Sequence, residues 1–246
     1  MDFFTALTLS ILAGFATSIG ALFAFFLKKP GPSIMPIAMG FSAGVMIFVA
    51  FAEMLPQAML GAGQANAFIA FFAGMGAICL IDVLLPHSYK GEKCADQKMM
   101  RCGTLVAIGI AIHNFPEGMA VFFSSLSSLS LGLPIAVAVA IHNIPEGIAV
   151  SMPIFEATKS RGKAFLYSAL SGLAEPLGAV IGFLFLMPFL NQFTLDLVLG
   201  AVAGIMVFIS FDELLPFSYN GTHSHKPILG IFLGMAVMAI SLWMLG

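Results

Sequence analysis

Two polar hexapeptides stand inside apolar stretches of this 246-residue chain: His113-Asn114-Phe115-Pro116-Glu117-Gly118 and His142-Asn143-Ile144-Pro145-Glu146-Gly147. On a helix, residues three and four apart share a face, so His113, Asn114 and Glu117 point one way, and His142, Asn143 and Glu146 do the same. Two imidazoles, two carboxylates and two amides facing one another form a cation site, with room for two adjacent ions. Glu175, followed by Pro176 near the middle of another apolar stretch, adds a further candidate anionic ligand. An ionisable group within a bilayer costs about 2.5–3.5 kcal/mol even on a lenient insertion scale, so a duplicated cluster of them reads as a site.

Donor chemistry narrows the ion. Imidazole, carboxylate and amide without thiolate suit Zn²⁺, Fe²⁺, Mn²⁺ and Cd²⁺ better than Cu⁺, and imidazole argues against a pure Mg²⁺ or Ca²⁺ site. Ligands must lose their protons to bind, so uptake is expected to weaken at low pH. Each proline removes a helical hydrogen bond, to Ile112 or Ile141, and is expected to kink its helix at the motif. Broken helices at membrane depth are tolerated where they line a cavity.

The elements that carry these residues follow from composition. With 60% hydrophobic and 9% charged residues and a mean hydropathy of +1.03, the chain is no ordinary soluble domain. A hydrophobic run needs roughly 20 residues to cross the bilayer. Eight are present, near Phe3 to Leu27, Ile34 to Leu60, Ala65 to Leu85, Thr104 to Leu126, Leu131 to Phe155, Ala164 to Phe189, Leu195 to Tyr219 and Pro227 to Leu245. The expected fold is an all-α integral membrane protein of eight transmembrane helices, a single domain over residues 1–246. Its first span is read as a retained helix, since its flanking charges, Lys28 and Lys29, follow it.

All 10 Lys and Arg residues fall in the odd-numbered loops. Those loops are expected on the cytoplasmic side and both termini outside. Cys79 falls in a span and Cys94 and Cys102 in the third loop, a spacing that makes neither a disulfide framework nor a closed zinc site.

A shift of 160 positions lays the second span, Gly40 to Pro56, on the seventh, Gly200 to Pro216, and matches Phe72, Gly74 and Met75 with Phe232, Gly234 and Met235. A shift of 158 places Gly14, Ala16, Gly20 and Ala21 on Gly172, Ala174, Gly178 and Ala179, and a shift of 29 relates the two hexapeptides. Matched spans are an odd number of crossings apart, so the copies run in opposite directions. The layout is a 3+2+3 arrangement of inverted repeats, typical of carriers that expose a midplane site to either side in turn.

The repeat also orders the remaining polar residues. Glu53 lies toward the expected entrance, and its mate Glu213, with Asp212, toward the exit. Asp82 and His87 at the inner end of span three, with His223 and His225 in the seventh loop, would extend that exit. A structural hydrogen-bonding role competes at Glu53 and Asp82, and a solvated loop at His223 and His225. Gly178 and Gly182 form a small-xxx-small pattern that reports close helix packing. Glu175 has Thr17 as its mate, so the symmetry is broken there.

The paired His-Asn-x-Pro-Glu-Gly sequences in the fourth and fifth of eight spans resemble the signature of the ZIP (Zrt/Irt-like) family of divalent metal transporters. Short loops, Ala13-Gly14, Ser171-Gly172-Leu173-Ala174-Glu175 and Asp212-Glu213-Leu214 make the chain most similar to its bacterial ZupT-like branch. The resemblance implies import of divalent metal toward the cytoplasm, a binuclear-type site between spans four, five and six, a bacterial inner-membrane location and a homodimer. It matches His113, Glu117, His142 and Glu146 to a first metal position and Asn114, Glu117, Asn143, Glu146 and Glu175 to a second. Asp82, Asp212 and Glu213 resemble cytoplasmic exit ligands. The chain lacks a long His-rich third loop, having only His87 there, and carries Asn143 where some relatives carry Asp.

The metal is cargo. No prosthetic group, enzymatic activity or nucleic-acid partner is expected. Two other readings remain: an intramembrane metal-dependent hydrolase, which would normally show His-Glu-x-x-His, and a metal-selective channel of the same fold.

Overall fold

The computed structural model describes residues 2–26, 34–84, 94–189, 191–219 and 225–245. Among them every regular element is helical, and eight helices are long and apolar enough to cross a membrane. They are α1 (Phe3–Phe26), α2 (Ile34–Ala62), α3 (Gln64–Leu84), α4 (Cys94–Ser127), α5 (Leu129–Thr158), α6 (Arg161–Leu186), α7 (Gln192–Tyr219) and α8 (Lys226–Leu245). Gly63, at φ 84°, joins α2 to α3 in a left-handed conformation that glycine adopts without steric cost. Ser128 caps α5 by accepting from the Leu131 N–H, and Asn191 and Thr194 form a reciprocal capping box on α7.

Two groups of helices emerge from the packing. In one, α1 lies against α5, α6 and α4, and α4 against α5 and α6; in the other, α2 pairs with α8 and α3 with α7. Contacts of α2 with α5, α4 with α7 and α2 with α7 join the groups. The main core fills this junction with Met39, Met46, Val106, Ile110, Met152, Met206 and Ile209.

The changes of helical hydrogen-bond pattern lie away from the two motif prolines. α4 and α5 remain helical through Pro116 and Pro145. The wide turns occur instead at Ala50–Met54 in α2 and Ser210–Leu214 in α7, with a third at Gly182–Leu186. In the first two, the N–H groups of Leu55 and Leu215 reach back five residues, to the Ala50 and Ser210 carbonyls. Pro56 and Pro216 come next in the chain, and a proline cannot donate to the carbonyl four residues back. Absorbing one extra residue in a π-turn relieves that conflict. α6 is also interrupted, by a turn at Leu173.

α4 begins earlier than the expected Thr104, at Cys94. Cys102 is therefore a buried helical residue, not a loop residue.

Candidate metal site

α4 and α5 face one another along their hexapeptides. His113 Nε2 lies 2.8 Å from Glu146 Oε1, and His142 Nε2 lies 3.2 Å from Glu117 Oε2. The two contacts exchange under the 29-residue shift, so each imidazole meets the other motif's glutamate. His113, Asn114, Asn143, Glu146 and Glu175 are 0% exposed, Glu117 is 6% and His142 4%. Burying these groups is costly, and the mutual pairing of imidazole with carboxylate offsets part of that cost.

The last residue of each hexapeptide sets how closely the flanking helices approach. A Cβ on Gly118 would collide with the backbone of Glu175 in α6, and one on Gly147 with the backbone of Thr17 in α1. The missing side chain at 118 therefore brings Glu175 to the motif. Asn143 then donates its amide to Glu175 Oε1 and to the Ala13 carbonyl, the latter at 2.9 Å. Asn114 sets one end of its amide 3.3 Å from the Ser171 carbonyl and the other against Glu146 Oε2 and His113 Nε2. Ser171 and Ala13 are themselves matched by the 158-residue shift.

Two buried acceptors in this seam, Asn143 Oδ1 and Glu175 Oε2, have no hydrogen-bond donor among the described residues. Buried polar atoms are normally satisfied, and unpaired oxygens beside carboxylates suit a hard or borderline cation. A cavity of about 400 Å³ reaches this centre. Its wall includes Glu117 and His142 at depth, Glu53 beside them, and Gln57, Ser127 and Gln192 toward the helix ends near Gly63, Ser128 and Asn191.

The sequence profile of the ZIP Zinc transporter family matches residues 85–242. The chain is 52% identical to the zinc transporter ZupT of Chlorobium phaeovibrioides, covering 99% of both chains. It is 49% identical to the zinc transporter ZupT of Streptococcus mutans, covering 97% of both, and 47% identical to that of Clostridium perfringens, covering 96% of this chain and 94% of the relative. The chain belongs to the ZIP family. It is an integral membrane protein of a transporter family, not an enzyme family.

A second polar group of this ZIP chain lies at the opposite ends of α3 and α7. Ligand oxygens of Asp82, Asp212 and Glu213 come within 4.8 Å of one another. Arg101 of α4 forms an ion pair with Asp82, and the Cys102 thiol lies against Glu213. Glu53 and the Asp212–Glu213 pair both sit on the π-turns, which rotate these acids out of the regular helical register. Of the other exit candidates, His87 and His223 lie outside the described residues, and His225 is exposed at the start of α8.

Sequence reasoning missed three features of this ZIP chain. Gly118 and Gly147 passed as part of a motif, although their role is to admit a neighbouring backbone. Cys102 was separated from the exit acids by a loop boundary. Asp196, buried on the cavity wall, was overlooked, although a lone acid within an apolar span is itself a signal.

Proposed function

We propose that this chain carries divalent metal ions, zinc foremost, across the membrane toward the cytoplasm by alternating access. The observation that carries the reading is the reciprocal pairing of His113 with Glu146 and of His142 with Glu117, the second pair lining a cavity. A divalent cation entering there replaces the protons those pairs share and takes imidazole and carboxylate ligands, a combination that suits Zn²⁺ and admits Fe²⁺, Mn²⁺ and Cd²⁺. Asn114, Asn143 and Glu175 hold a second ion beside the first, with Glu117 and Glu146 bridging. The named zinc transport of the ZupT relatives supports the same cargo.

The packing supports the inverted-repeat reading. Exchanging α1 with α6, α2 with α7, α3 with α8 and α4 with α5 converts the α1–α5 contact into α6–α4, and α2–α8 into α7–α3. The cavity supports a carrier over a channel. Leu131, Ile135 and Val139 line it, whereas their repeat mates Cys102, Val106 and Ile110 are packed in the protein. One face of the site is open while the symmetry-related face is closed.

The cavity face is assigned to the outside, with both termini, and Asp82, Asp212 and Glu213 to the cytoplasmic exit, following the distribution of Lys and Arg. Assembly as a homodimer in a bacterial inner membrane completes the reading.

Purified protein in metal-free liposomes tests it. Saturable Zn²⁺ flux is expected, lost in the double variant Glu117→Ala/Glu146→Ala. Absence of flux in the wild type, or unchanged flux in the double variant, would overturn the proposal.

A further inference from the structure

We infer that Asp196 is a cation-capture residue on the outer wall of the cavity, which takes a hydrated divalent ion before it reaches the central site. This rests on the transport reading above.

Asp196 is only 2% exposed, yet it lines the same cavity as Glu53, Glu117 and His142. Gln192, one turn earlier in α7, donates its amide to Oδ1 at 3.1 Å. Oδ2 has no hydrogen-bond donor among the described residues. A buried carboxylate oxygen left without a donor is costly, and a structural acid would be expected to have both oxygens engaged.

The surroundings are shaped around this carboxylate. It occupies the space that a Cβ on Gly61 of α2 would fill. The repeat does not require an acid here, because the mate of Asp196 under the 160-residue shift is Pro36. The charge thus belongs to one side of the transporter alone. Gln57, Ser124 and Ser127 supply neutral oxygens along the same wall, and Glu53 lies deeper. Carboxylate and neutral oxygens on a hydrated wall hold an ion through its water shell, more weakly than imidazole and bridging carboxylates do. Capture there followed by transfer inward raises the local ion concentration at the centre without competing with it.

Zn²⁺ influx into proteoliposomes, with metal supplied on the cavity face, tests the assignment. Asp196→Asn keeps the shape that fits against Gly61 and removes the charge. It is expected to raise KM for Zn²⁺ roughly three- to ten-fold, the scale of one unit charge acting at short range in a partly hydrated cavity, with a much smaller fall in the saturating rate. The rise of KM with added salt should also flatten, because the screened charge is gone. Asp196→Ser provides a second variant with the same expectation. An unchanged KM and salt dependence in both variants, or a loss of saturating rate at unchanged KM, would overturn the capture role while leaving the transport reading intact. A wild-type protein without flux would overturn that reading and the capture role with it.

Discussion

Gly118 of α4 and Glu175 of α6 touch backbone to backbone, with no room for a methyl group between them. The contact couples helix packing to site chemistry, because the backbone that Gly118 admits carries the carboxylate that Asn143 holds. Its counterpart is the contact between Gly147 and Thr17, where the site has no acid.

Gly118→Ala should therefore do more than loosen the fold. Overpacking a close contact costs about 1–3 kcal/mol, and here the obstruction is backbone, which cannot move aside like a flexible side chain. Thermal unfolding in detergent should show a lowered Tm. Zn²⁺ flux should fall further than the Tm loss explains, since Glu175 is displaced. Gly147→Ala should give a similar Tm loss, and comparing the two fluxes separates packing from the position of Glu175.

His113 and Glu146 should behave as a unit. Removing either leaves the other buried without its partner, so each single change is expected to lower flux at least about ten-fold, while the double variant is little worse than either single one. The same non-additivity is expected for His142 with Glu117. Strictly additive losses in a double-mutant cycle would contradict the pairing as the working arrangement.

Glu175→Gln should lower metal stoichiometry before it abolishes binding. Oε2 of Glu175 and Oδ1 of Asn143 have no hydrogen-bond donor among the described residues, and a glutamine replaces a charge with a weaker donor set. Metal analysis of the purified variant under saturating Zn²⁺ is expected to find one tightly held ion per chain where the wild type holds two. Equal stoichiometry would argue against a second ion at this position.

Cys102 tests the proposed alternation of access. Its repeat mate Leu131 lines the cavity, whereas Cys102 is 4% exposed. In a chain whose Cys79 and Cys94 are replaced by serine, a membrane-impermeant thiol reagent applied from the cytoplasmic side should label Cys102 during transport. Labelling should fall when the protein is trapped with its cavity open to the outside. Persistent inaccessibility under active flux would count against exchange of the two halves.

Much of this protein is legible along the chain. The hydrophobic lengths announce eight crossings, and the hexapeptides announce His113, Asn114, Glu117, His142, Asn143 and Glu146 as a set, because period and residue type are local properties. Other features resisted. The prolines at 116 and 145 were expected to kink their helices; the π-turns arose before Pro56 and Pro216, where Glu53, Asp212 and Glu213 sit. Whether a proline is absorbed smoothly or by widening a turn depends on what packs around it, and that is not written in the local pattern. Cys102 was misplaced because charges such as Lys98 and Arg101 mark the edge of hydrocarbon but do not end a helix.

Sequence alone determined the membrane setting, and it carried the candidate donors and the matching segments, since each is a matter of composition or spacing. Only the tertiary structure decided which imidazole meets which glutamate, that Glu175 joins Asn143 through the space left at Gly118, and that Asp196 stands on the cavity wall against Gly61. Those relations join residues on different helices. Their geometry is fixed by how closely two backbones approach, a property of the pair that neither helix carries by itself.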